Sequence, residues 1–312
     1  MPDVSILLLT WNGLATLPGL LDALAAQQSP FSVETVAVDS GSTDGTVELL
    51  RRRVNRVVQI PTADFNHGLT RNVDLEQCRG EFVVLLVQDA LPASTNWLTE
   101  LVSPLVKDLR LAGTYARQVP REDASAITRH YLLNWSAASP TPRVTYLASA
   151  DSFERLSPEE RFRMCVFDNV CSSLRRSVWS RIRFKQTQIA EDLEWAKDVL
   201  LAGHGLAYVP EAVVVHSHDR PARYELERTY LVHQRLRSLF GLATIPNMGA
   251  LLRAVATTVP LHVKCASDGS VFRVPPRTLG RALALAVALP LGQYLGVRSA
   301  DSGRRFLRPK GV

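Results

Sequence analysis

The chain has 312 residues, of which 46% are hydrophobic and 21% charged, which suits one large α/β domain with an appendage, or two domains. Its net charge of +6 fits an anionic substrate or a membrane surface, while the scattered arginines and the lack of a recognised binding motif argue against nucleic acid. The four cysteines show neither a CxxC pair nor metal-ligand spacing, so we expect free thiols in a reducing compartment.

Short apolar runs alternate with helical patterns over the first third of the chain. The predicted strands are 4–9, 33–38, 57–60 and 81–87, and the predicted helices are 14–27, 44–53, 68–78 and 95–106. Strands and helices that alternate in this way predict an α/β fold of Rossmann-like type. We expect a mostly parallel sheet with helices on both faces, joined by right-handed crossovers.

The pattern changes twice in the rest of the chain. The later predicted elements are strands at 111–118, 170–174 and 206–215, and helices from Arg175 and at 191–202, 223–241, 248–258 and 278–289. Between the first two of these strands, residues 120–167 are rich in Pro, Ser, Thr and charge, and we expect an irregular segment that moves or binds a ligand. Only helices are predicted beyond Pro221, so we expect an α/β domain at 1–220 and a helical region at 221–312.

Two features bear on where the protein works. The N-terminus runs directly into a strand without a charged leader or a cleavage site, so we expect a cytoplasmic protein. Residues 282–297 are almost entirely apolar, with Arg277 and Arg281 before them and Arg298 after, but they are few for a membrane span and include Pro290. We expect either a helix docked on the core or on a second subunit, or a helix anchored by these arginines on the inner face of the cell membrane.

The apolar run at 82–87 is followed closely by an acidic residue, Asp89. Such a run predicts a buried strand of a parallel sheet, and ligands of open α/β sheets collect at the carboxyl ends of the strands. A carboxylate at that place is suited to hold a divalent cation against a phosphate. The pattern therefore predicts a metal site at Asp89.

Polar turn residues follow the first two predicted strands, at 10–12 (TWN) and 39–46 (DSGSTDGT). Small, turn-forming residues let the backbone approach a ligand closely. Asp39 could accept hydrogen bonds from a pyrimidine N–H or from ribose hydroxyls, whereas Asp44 is expected to cap the helix that follows. This motif is weak evidence by itself, because any doubly wound fold has similar turns.

The segment 65–72 (FNHGLTRN) opens a predicted helix. The free N–H groups and the dipole of a helix start favour an anion. Arg71 falls in the first turn, where a helix normally prefers acids. This departure is explained if Arg71 pairs with a phosphate, so we expect an anion site here.

Two further polar motifs end the predicted α/β domain. Glu191 and Asp192 open its last helix, where acids favour the helix dipole but one of the pair could also act as a general base on a hydroxyl. His216 and His218 follow its last strand and point to the same face if the strand continues. Imidazole suits Mn²⁺-like ions better than Mg²⁺, so we expect histidine to share a cation with Asp89.

In this order, the motifs resemble those of family 2 glycosyltransferases with the GT-A fold, and most closely the bacterial rhamnosyltransferase-like branch. The resemblance covers roughly residues 3–220, and its specific part is 65–72 together with Gln-Asp-Ala at 88–90. Many such enzymes have two Asp residues one residue apart, where this chain has Val87 and Asp89. We therefore expect an α/β GT-A domain plus a C-terminal helical region.

The resemblance implies a role for each motif. Asp192 would be the catalytic base, with Glu191 and Trp195 on the acceptor side. The residues that would hold a divalent cation, Mn²⁺ or Mg²⁺, are Asp89, His216 and His218. The residues that would bind the nucleotide sugar are Thr10, Trp11, Asn12, Asp39, Ser40, His67, Gly68, Arg71, Asn72 and Gln88. The nucleotide-sugar half would be about 1–118 and the acceptor half about 119–220.

The implied activity is that of an inverting, metal-assisted hexosyltransferase. The expected donor is a nucleotide-diphosphate sugar, with dTDP-L-rhamnose as the first choice. The acceptor would be a hydroxyl of a saccharide or lipid-linked saccharide in cell-surface polysaccharide synthesis. The expected partners are these substrates and either a peripheral membrane contact or a second copy in a homodimer, but not nucleic acid.

Three other functions fit the sequence less well. A non-catalytic nucleotide-sugar-binding subunit of a polysaccharide assembly complex remains the alternative, although a binder needs no base such as Asp192. A nucleotidyltransferase usually has a Gly-rich, basic phosphate loop after its first strand, where this chain has 10–13 (TWNG). A dinucleotide dehydrogenase lacks support for a related reason, because no GxGxxG follows that strand.

Overall fold

The first part of the chain alternates strands and helices, as its hydrophobic pattern predicts. The computed structural model describes residues 1–267 and 275–309. Strands β1 to β4 are Val4–Thr10, Val33–Asp39, Arg56–Gln59 and Phe82–Val87, and helices α1 to α3 are Leu17–Ala25, Thr46–Arg53 and His67–Glu76. The four strands lie in the order β3-β2-β1-β4, and each neighbouring pair is parallel. The predicted parallel sheet is therefore confirmed for this part.

The second part adds five strands and six helices before the C-terminal region. The strands are β5 (Leu91–Pro92), β6 (Leu111–Val119), β7 (Arg143–Thr145), β8 (Cys171–Arg175) and β9 (Gly205–Val215). The helices are α4 (Trp97–Lys107), α5 (Ala126–Leu133), α6 (Ala150–Glu154), α7 (Pro158–Met164), α8 (Arg176–Trp179) and α9 (Glu191–Leu201). The full sheet order is β3-β2-β1-β4-β8-β6-β9-β5, with β7 beside β9.

Hydrophobic layers cover both faces of the sheet. One layer contains the apolar side chains of α1, α2 and α4, such as Leu17, Leu50 and Trp97. The other contains those of α3 and α9, such as Leu75 and Trp195. Burial on both faces explains why the central strands are almost wholly apolar. The predicted α/β architecture with helices on both faces is confirmed.

The sheet is mixed rather than wholly parallel. Strand β8 lies antiparallel between β4 and β6, and its first residue, Cys171, pairs with Leu86 near the end of β4. Because β6 and β9 run parallel to each other and antiparallel to β8, they share the direction of β1 to β4. The residues just before β8 therefore reach the same edge of the sheet as the ends of its parallel strands.

The expectation of an irregular segment at 120–167 is wrong. This segment contains α5, α6, α7 and the edge strand β7. Each of the three helices begins at a serine whose hydroxyl accepts a backbone N–H, namely Ser125, Ser149 and Ser157. Ser157 and Glu160 form a reciprocal capping box, a local signal that stabilises a short helix where hydrophobic periodicity is weak.

Three C-terminal helices follow, α10 (Ala222–Phe240), α11 (Met248–Ser267) and α12 (Pro276–Ser302). The last two are longer than predicted, because α11 continues past Pro260 and α12 past Pro290. Of the predicted helical region, 268–274 and 310–312 lie outside the described residues. A proline removes one backbone donor from a helix, but Pro290 is buried in the helical layer, where packing supports the helix.

Helix α12 is docked on α10 through small residues. A Cβ atom on Gly292 would lie 2.8 Å from the Leu226 carbonyl oxygen, and one on Gly296 would lie 2.5 Å from that of Tyr230. Among the described residues, α12 is the one helix long and apolar enough to cross a membrane by length and composition, and 44% of its most apolar window is buried. Arg281, expected to anchor such a helix to lipid, instead pairs with Asp219 at 2.9 Å.

Candidate functional site

The carboxyl ends of the parallel strands meet at one edge of the sheet. Thr10 at the end of β1 pairs with Asp39 at the end of β2. Beyond β8, Val119 at the end of β6 pairs with Val215 at the end of β9. This edge is where open α/β sheets bind their ligands, and most of the predicted site residues lie along it.

Asp89, His216 and His218 form a group of three candidate metal ligands at this edge. The Nε2 atom of His218 lies 3.1 Å from Asp89 Oδ2, and that of His216 lies 3.7 Å from Asp89 Oδ1. The candidate ligand atoms of the three residues all lie within 4.8 Å of one another. The expected proximity is confirmed, and both histidines face the carboxylate. We call these three residues the Asp–His group.

Hydrogen bonding and burial prepare the two imidazoles for a cation. Gln118 at the end of β6 places its Oε1 atom 3.1 Å from His216 Nδ1, which assigns the proton to Nδ1 and leaves the Nε2 lone pair towards Asp89. Burial lowers the pKa of His216 and lowers that of His218 to about 4, in spite of the nearby Asp89. Both rings are therefore neutral at pH 7, the state that binds a metal.

A second polar group lies at the start of α9. Glu191 forms a buried ion pair with Arg71, whose Nε lies 2.9 Å from Glu191 Oε1. The Asn169 amide donates to the same Glu191 oxygen at 3.2 Å. The neighbouring Asp192 accepts from the backbone N–H of Leu193 at 2.8 Å, and from that of Asn169 at 3.4 Å.

The two adjacent acids have opposite pKa shifts. Burial alone would raise the pKa of Glu191, but the charges of Arg71 and His67 outweigh it and hold that pKa below its usual value. Burial raises the pKa of Asp192 well above its usual value, and the carboxylates of Glu191 and Asp168 raise it further. Asp192 thus combines few hydrogen bonds with a raised pKa, which suits a general base.

Two residues that sequence reasoning missed connect these groups. Asp168 accepts a hydrogen bond of 2.6 Å from the Gln118 amide, which also faces His216. Asp168 is also near the polar group at the start of α9, because its charge raises the pKa of Asp192. The position of Gln118 at a strand end was a usable signal. Asp168 precedes the antiparallel strand β8, so the parallel-strand rule could not find it.

Asp39 and Thr10 hold the loop after β2 by hydrogen bonds inside the protein. Both are buried, and Thr10 Oγ1 donates to Asp39 at 2.9 Å. The other Asp39 oxygen accepts from the backbone N–H groups of Gly41 and Ser42, at 3.1 and 2.8 Å. With the Ser42 hydroxyl as a fourth donor, the Asp39 carboxylate is held within its own loop in this structure, and the contact of Asp39 and Thr10 with a nucleotide stays a prediction.

The neighbouring residues of these loops are more accessible. Trp11 is 55% exposed, and its backbone N–H and carbonyl bond the Gln88 amide at 2.9 and 3.0 Å. Asn12 is exposed and accepts from the Thr43 N–H at 2.9 Å. Ser40 is buried and holds the loop through its backbone. Gln88 therefore ties the end of β4 to the end of β1, next to an exposed indole.

The start of α3 differs from its expected role. Arg71 forms an ion pair with Glu191 in this structure, and its pairing with a phosphate stays a prediction. Asn72 is buried and its amide bonds Phe184 and Trp179, so it supports the fold rather than a ligand. Gly68 is explained by the close approach of the Lys185 carbonyl, which would collide with a Cβ atom. His67, in contrast, lies at a cavity described below.

Trp195 is a core residue, which corrects its expected place on the acceptor side. It is 1% exposed, and its indole N–H donates to the Ile182 carbonyl at 2.8 Å. Its ring packs between Phe167 and Phe184 at centroid distances of 5.2 and 5.6 Å. Glu191 is likewise turned inward to Arg71, whereas Asp192 next to it is only partly buried.

Comparisons with known proteins agree with this architecture. Residues 5–182 match the profile of glycosyl transferase family 2. The chain is 31% identical over 232 residues to the O-antigen chain rhamnosyltransferase RfbN of Salmonella typhimurium, covering 73% of this chain and 70% of RfbN.

Solved structures show the same fold. One is the mannosyltransferase PcManGT from Pyrobaculum calidifontis in complex with GDP-Man and Mn²⁺, with a TM-score of 0.55 and 20% identity over 97% of this chain and 76% of that one. Another is glucosyl-3-phosphoglycerate synthase from Mycobacterium tuberculosis with Mn²⁺, UDP and glucosyl-3-phosphoglycerate, with a TM-score of 0.54 and 19% identity over 80% and 82% of the two chains.

Proposed function

The chain belongs to glycosyl transferase family 2, and we propose that it transfers a sugar, with inversion, from a nucleotide-diphosphate donor to a saccharide hydroxyl. L-rhamnose from dTDP-L-rhamnose is the proposed donor sugar, and a saccharide or lipid-linked saccharide of a cell-surface polysaccharide is the proposed acceptor. The likeness to RfbN, named as an O-antigen chain rhamnosyltransferase, supports this choice. One observation carries the proposal: Asp192 and the Asp–His group share one sheet edge, where Gln118 bonds both His216 and Asp168 and the next residue, Asn169, donates its backbone N–H to Asp192.

The Asp–His group fits a divalent cation. One carboxylate and two neutral imidazoles suit Mn²⁺ better than Mg²⁺, which prefers oxygen ligands, and PcManGT and glucosyl-3-phosphoglycerate synthase were both solved with Mn²⁺. When bound, the ion would offset the negative charge of the donor diphosphate. With both histidines facing Asp89, no second Asp at position 87 is required for a three-ligand site.

The loop residues support a nucleotide beside this group. The exposed Trp11 indole offers an apolar face on which a base can stack, and Gln88 holds its backbone next to Asp89. The buried Asp39 shapes the turn that follows. These residues orient the donor, while the reacting carbon lies towards Asp192.

The proposed reaction is a single displacement. Asp192 accepts the proton of the acceptor hydroxyl as its oxygen attacks the anomeric carbon. The new C–O bond forms on the face opposite the diphosphate, the bond to the diphosphate breaks, and the diphosphate leaves with the electron pair. One such step inverts the anomeric centre, and the raised pKa of Asp192 suits proton transfer near neutral pH.

We place this reaction in the cytoplasm, at the inner face of the membrane. Helices α11 and α12 pack on the α/β domain through their buried residues. Their outer surfaces carry the exposed apolar side chains Leu252, Leu283 and Val287, which could contact lipid. We expect the full chain to float with anionic vesicles, and Leu283→Glu with Val287→Glu to abolish this flotation. Recovery of the wild type in the unbound fraction only would contradict the placement.

Nucleotide release from a panel of dTDP-, UDP- and GDP-sugars tests the activity. We expect release from dTDP-L-rhamnose in the presence of a saccharide acceptor, with a strong loss on adding a chelator and recovery with Mn²⁺. Release from another donor would correct the sugar while keeping the mechanism. Release from none of them, with Mn²⁺ supplied, would favour a non-catalytic nucleotide-sugar-binding subunit.

A further inference from the structure

A cavity of about 250 Å³ lies beside the start of α9. Its walls come from four places in the chain: Phe65 and His67 at the start of α3, Gln188 before α9, Leu231 of α10, and Pro309 after α12. None of these residues belongs to the Asp–His group. The cavity is therefore a separate feature of the same end of the molecule.

An aromatic wall is held in place at the start of α3. The Phe65 and His67 rings meet edge to face, with centroids 5.0 Å apart. Asn66 between them caps the helix, and its side chain accepts from Gly68 and Leu69 at 3.2 and 3.0 Å. Phe65 is nevertheless 40% exposed, so its ring is fixed at its base while a large part of it remains available to a ligand.

A polar wall faces it from the segment before α9. Thr187 Oγ1 donates to the Ile189 carbonyl at 2.9 Å, which fixes the turn. The exposed Gln188 amide makes no hydrogen bond with a residue in 1–267 or 275–309. An amide with two donors and one acceptor can thus serve a ligand's hydroxyl groups.

The chain's own C-terminal tail forms the outer wall. Helix α12 ends at Ser302, and Gly303 after it has a φ of +67° that turns the chain back. Ser299 Oγ donates to the Arg304 carbonyl at 2.8 Å and is itself bonded by Tyr230 and Gln234 of α10. This anchor brings Pro309 to the cavity next to Leu231 of the same helix.

We propose that this cavity binds the sugar unit of the acceptor, with Phe65 as its stacking platform and Gln188 as its hydroxyl partner. The proposal rests on the proposed function, because it identifies the acceptor subsite of that reaction. An apolar ring opposite amide groups matches a sugar, which has a C–H face and a hydroxyl rim. The volume lies below the roughly 300–1,000 Å³ of pockets for drug-sized ligands, which suits a single sugar unit.

The position of the cavity fits its proposed role. Gln188 lies four residues before Asp192, the proposed base, on the segment that leads into α9. His67 lies close enough to Glu191, the neighbour of Asp192, for its charge to lower the pKa of that acid. A sugar held against Phe65 and Gln188 is thus placed near the start of α9, where Asp192 lies.

Saturation-transfer NMR with simple methyl glycosides tests the cavity without any sugar transfer. The probes are methyl α-L-rhamnoside, methyl α-D-mannoside and methyl β-D-galactoside, each added to the full-length protein. We expect at least one to bind the wild type, and Phe65→Ala and Gln188→Ala each to weaken that binding at least about tenfold, the equivalent of ~1.4 kcal/mol. Phe65→Trp, which keeps a stacking face, should retain binding.

Phe306→Ala is the matched control, because Phe306 is 45% exposed in the same tail and does not line the cavity. It should bind the glycosides as the wild type does. Equal binding by the wild type, Phe65→Ala and Gln188→Ala would overturn the proposal, and so would binding of no glycoside to the wild type. Failure of the proposed function appears separately, as a lack of nucleotide release by the wild type.

Discussion

Two aspartates of the same sheet edge have different surroundings, which assign them different chemistry. Asp89 faces the imidazoles of His216 and His218, which is a setting for a cation. Asp192 is surrounded by other acids and is partly withdrawn from water, which raises its pKa. A carboxylate whose pKa is raised holds a proton more readily near neutral pH, so Asp192 is better suited than Asp89 to remove one.

The pH dependence of turnover reflects this setting. A general base works in its ionised form, so kcat should fall as the pH drops through the pKa of Asp192. Because that pKa is raised above the ordinary 3.8, the acid limb of the kcat profile should lie well above pH 4. An acid limb at or below pH 4 would argue against Asp192 as the titrating base.

Gln118 should affect metal affinity without touching a metal. Its Oε1 fixes the tautomer of His216, and loss of such an outer partner typically weakens metal binding about 10–100-fold. We therefore expect Gln118→Ala to lower the affinity for Mn²⁺, measured by titration calorimetry, to this extent. His204→Ala, a histidine away from the Asp–His group, is the control. An unchanged affinity for Mn²⁺ in Gln118→Ala would contradict the claim that Gln118 positions His216 for the metal.

Single site residues could be predicted from sequence where they follow the end of an apolar strand. Asp89, His216 and His218 were found because they directly follow apolar strands. Asn72 and Trp195 belong to motifs that reach the ligand edge of the sheet, but their own side chains are buried. A sequence motif does not show which of its side chains point into the core. The ion pair of Arg71 with Glu191 was not predicted either, because Glu191 lies 120 residues away in sequence.

At the scale of elements, the orientation of β8 decides how the site is assembled. A parallel strand at this place would carry its first residues to the opposite edge of the sheet. Being antiparallel, β8 brings Asp168 and Asn169 to the ligand edge. The predicted strand 170–174 (VCSSL) does not encode a direction, so the sequence predicted the strand but not the contribution of the residues before it.

Helix α3 contains a buried acid that should make stability depend on pH. Neither Asp74 oxygen has a hydrogen-bond partner among the described residues, and burial raises the pKa of Asp74 to about 8. Between the unfolded value of 3.8 and about 8, the unfolded chain loses this proton while the folded protein keeps it. Stability contributed by the protonated form is therefore lost as the pH rises from about 4 to about 8.

Asp74→Asn should remove this dependence. Its free energy of unfolding in urea should exceed that of the wild type at pH 8.5 by at least about 1 kcal/mol, and the difference should shrink towards pH 5. Glu76→Gln, in the same helix but half exposed and paired with Arg183, should change stability by less than about 0.5 kcal/mol. A pH-independent effect of Asp74→Asn would contradict the raised pKa.

At the scale of the whole molecule, the C-terminal helices are built onto the catalytic domain rather than suspended beside it. Arg281 of α12 pairs with Asp219, the residue after His218, and Asp219 also accepts from Ser125 at the start of α5. His262 of α11 lies between Tyr131 and the Ala282 carbonyl, at 2.8 and 3.1 Å. The helical layer thereby supports the segment that carries the Asp–His group.

The contact between α10 and α12 should be sensitive to a single methyl group. Gly296→Ala places a Cβ atom 2.5 Å from the Tyr230 carbonyl oxygen, and overpacking of this kind typically costs about 1–3 kcal/mol. Gly280→Ala in the same helix meets nothing within 4 Å and should instead stabilise by about 0.5–1 kcal/mol. Urea unfolding of the two variants measures both, and equal stabilities would contradict the close packing of α12 on α10.

The transfer rate of Asp192→Asn tests the central claim most directly. With the donor found in the nucleotide-release panel and Mn²⁺ present, we predict a rate lower than that of the wild type by roughly 10²–10⁴-fold, with the affinity for the donor little changed. Asp198→Asn, an acid of the same helix that pairs with Lys185 at the surface, should transfer at the wild-type rate. Transfer by Asp192→Asn at near the wild-type rate would contradict the assignment of Asp192 as the base.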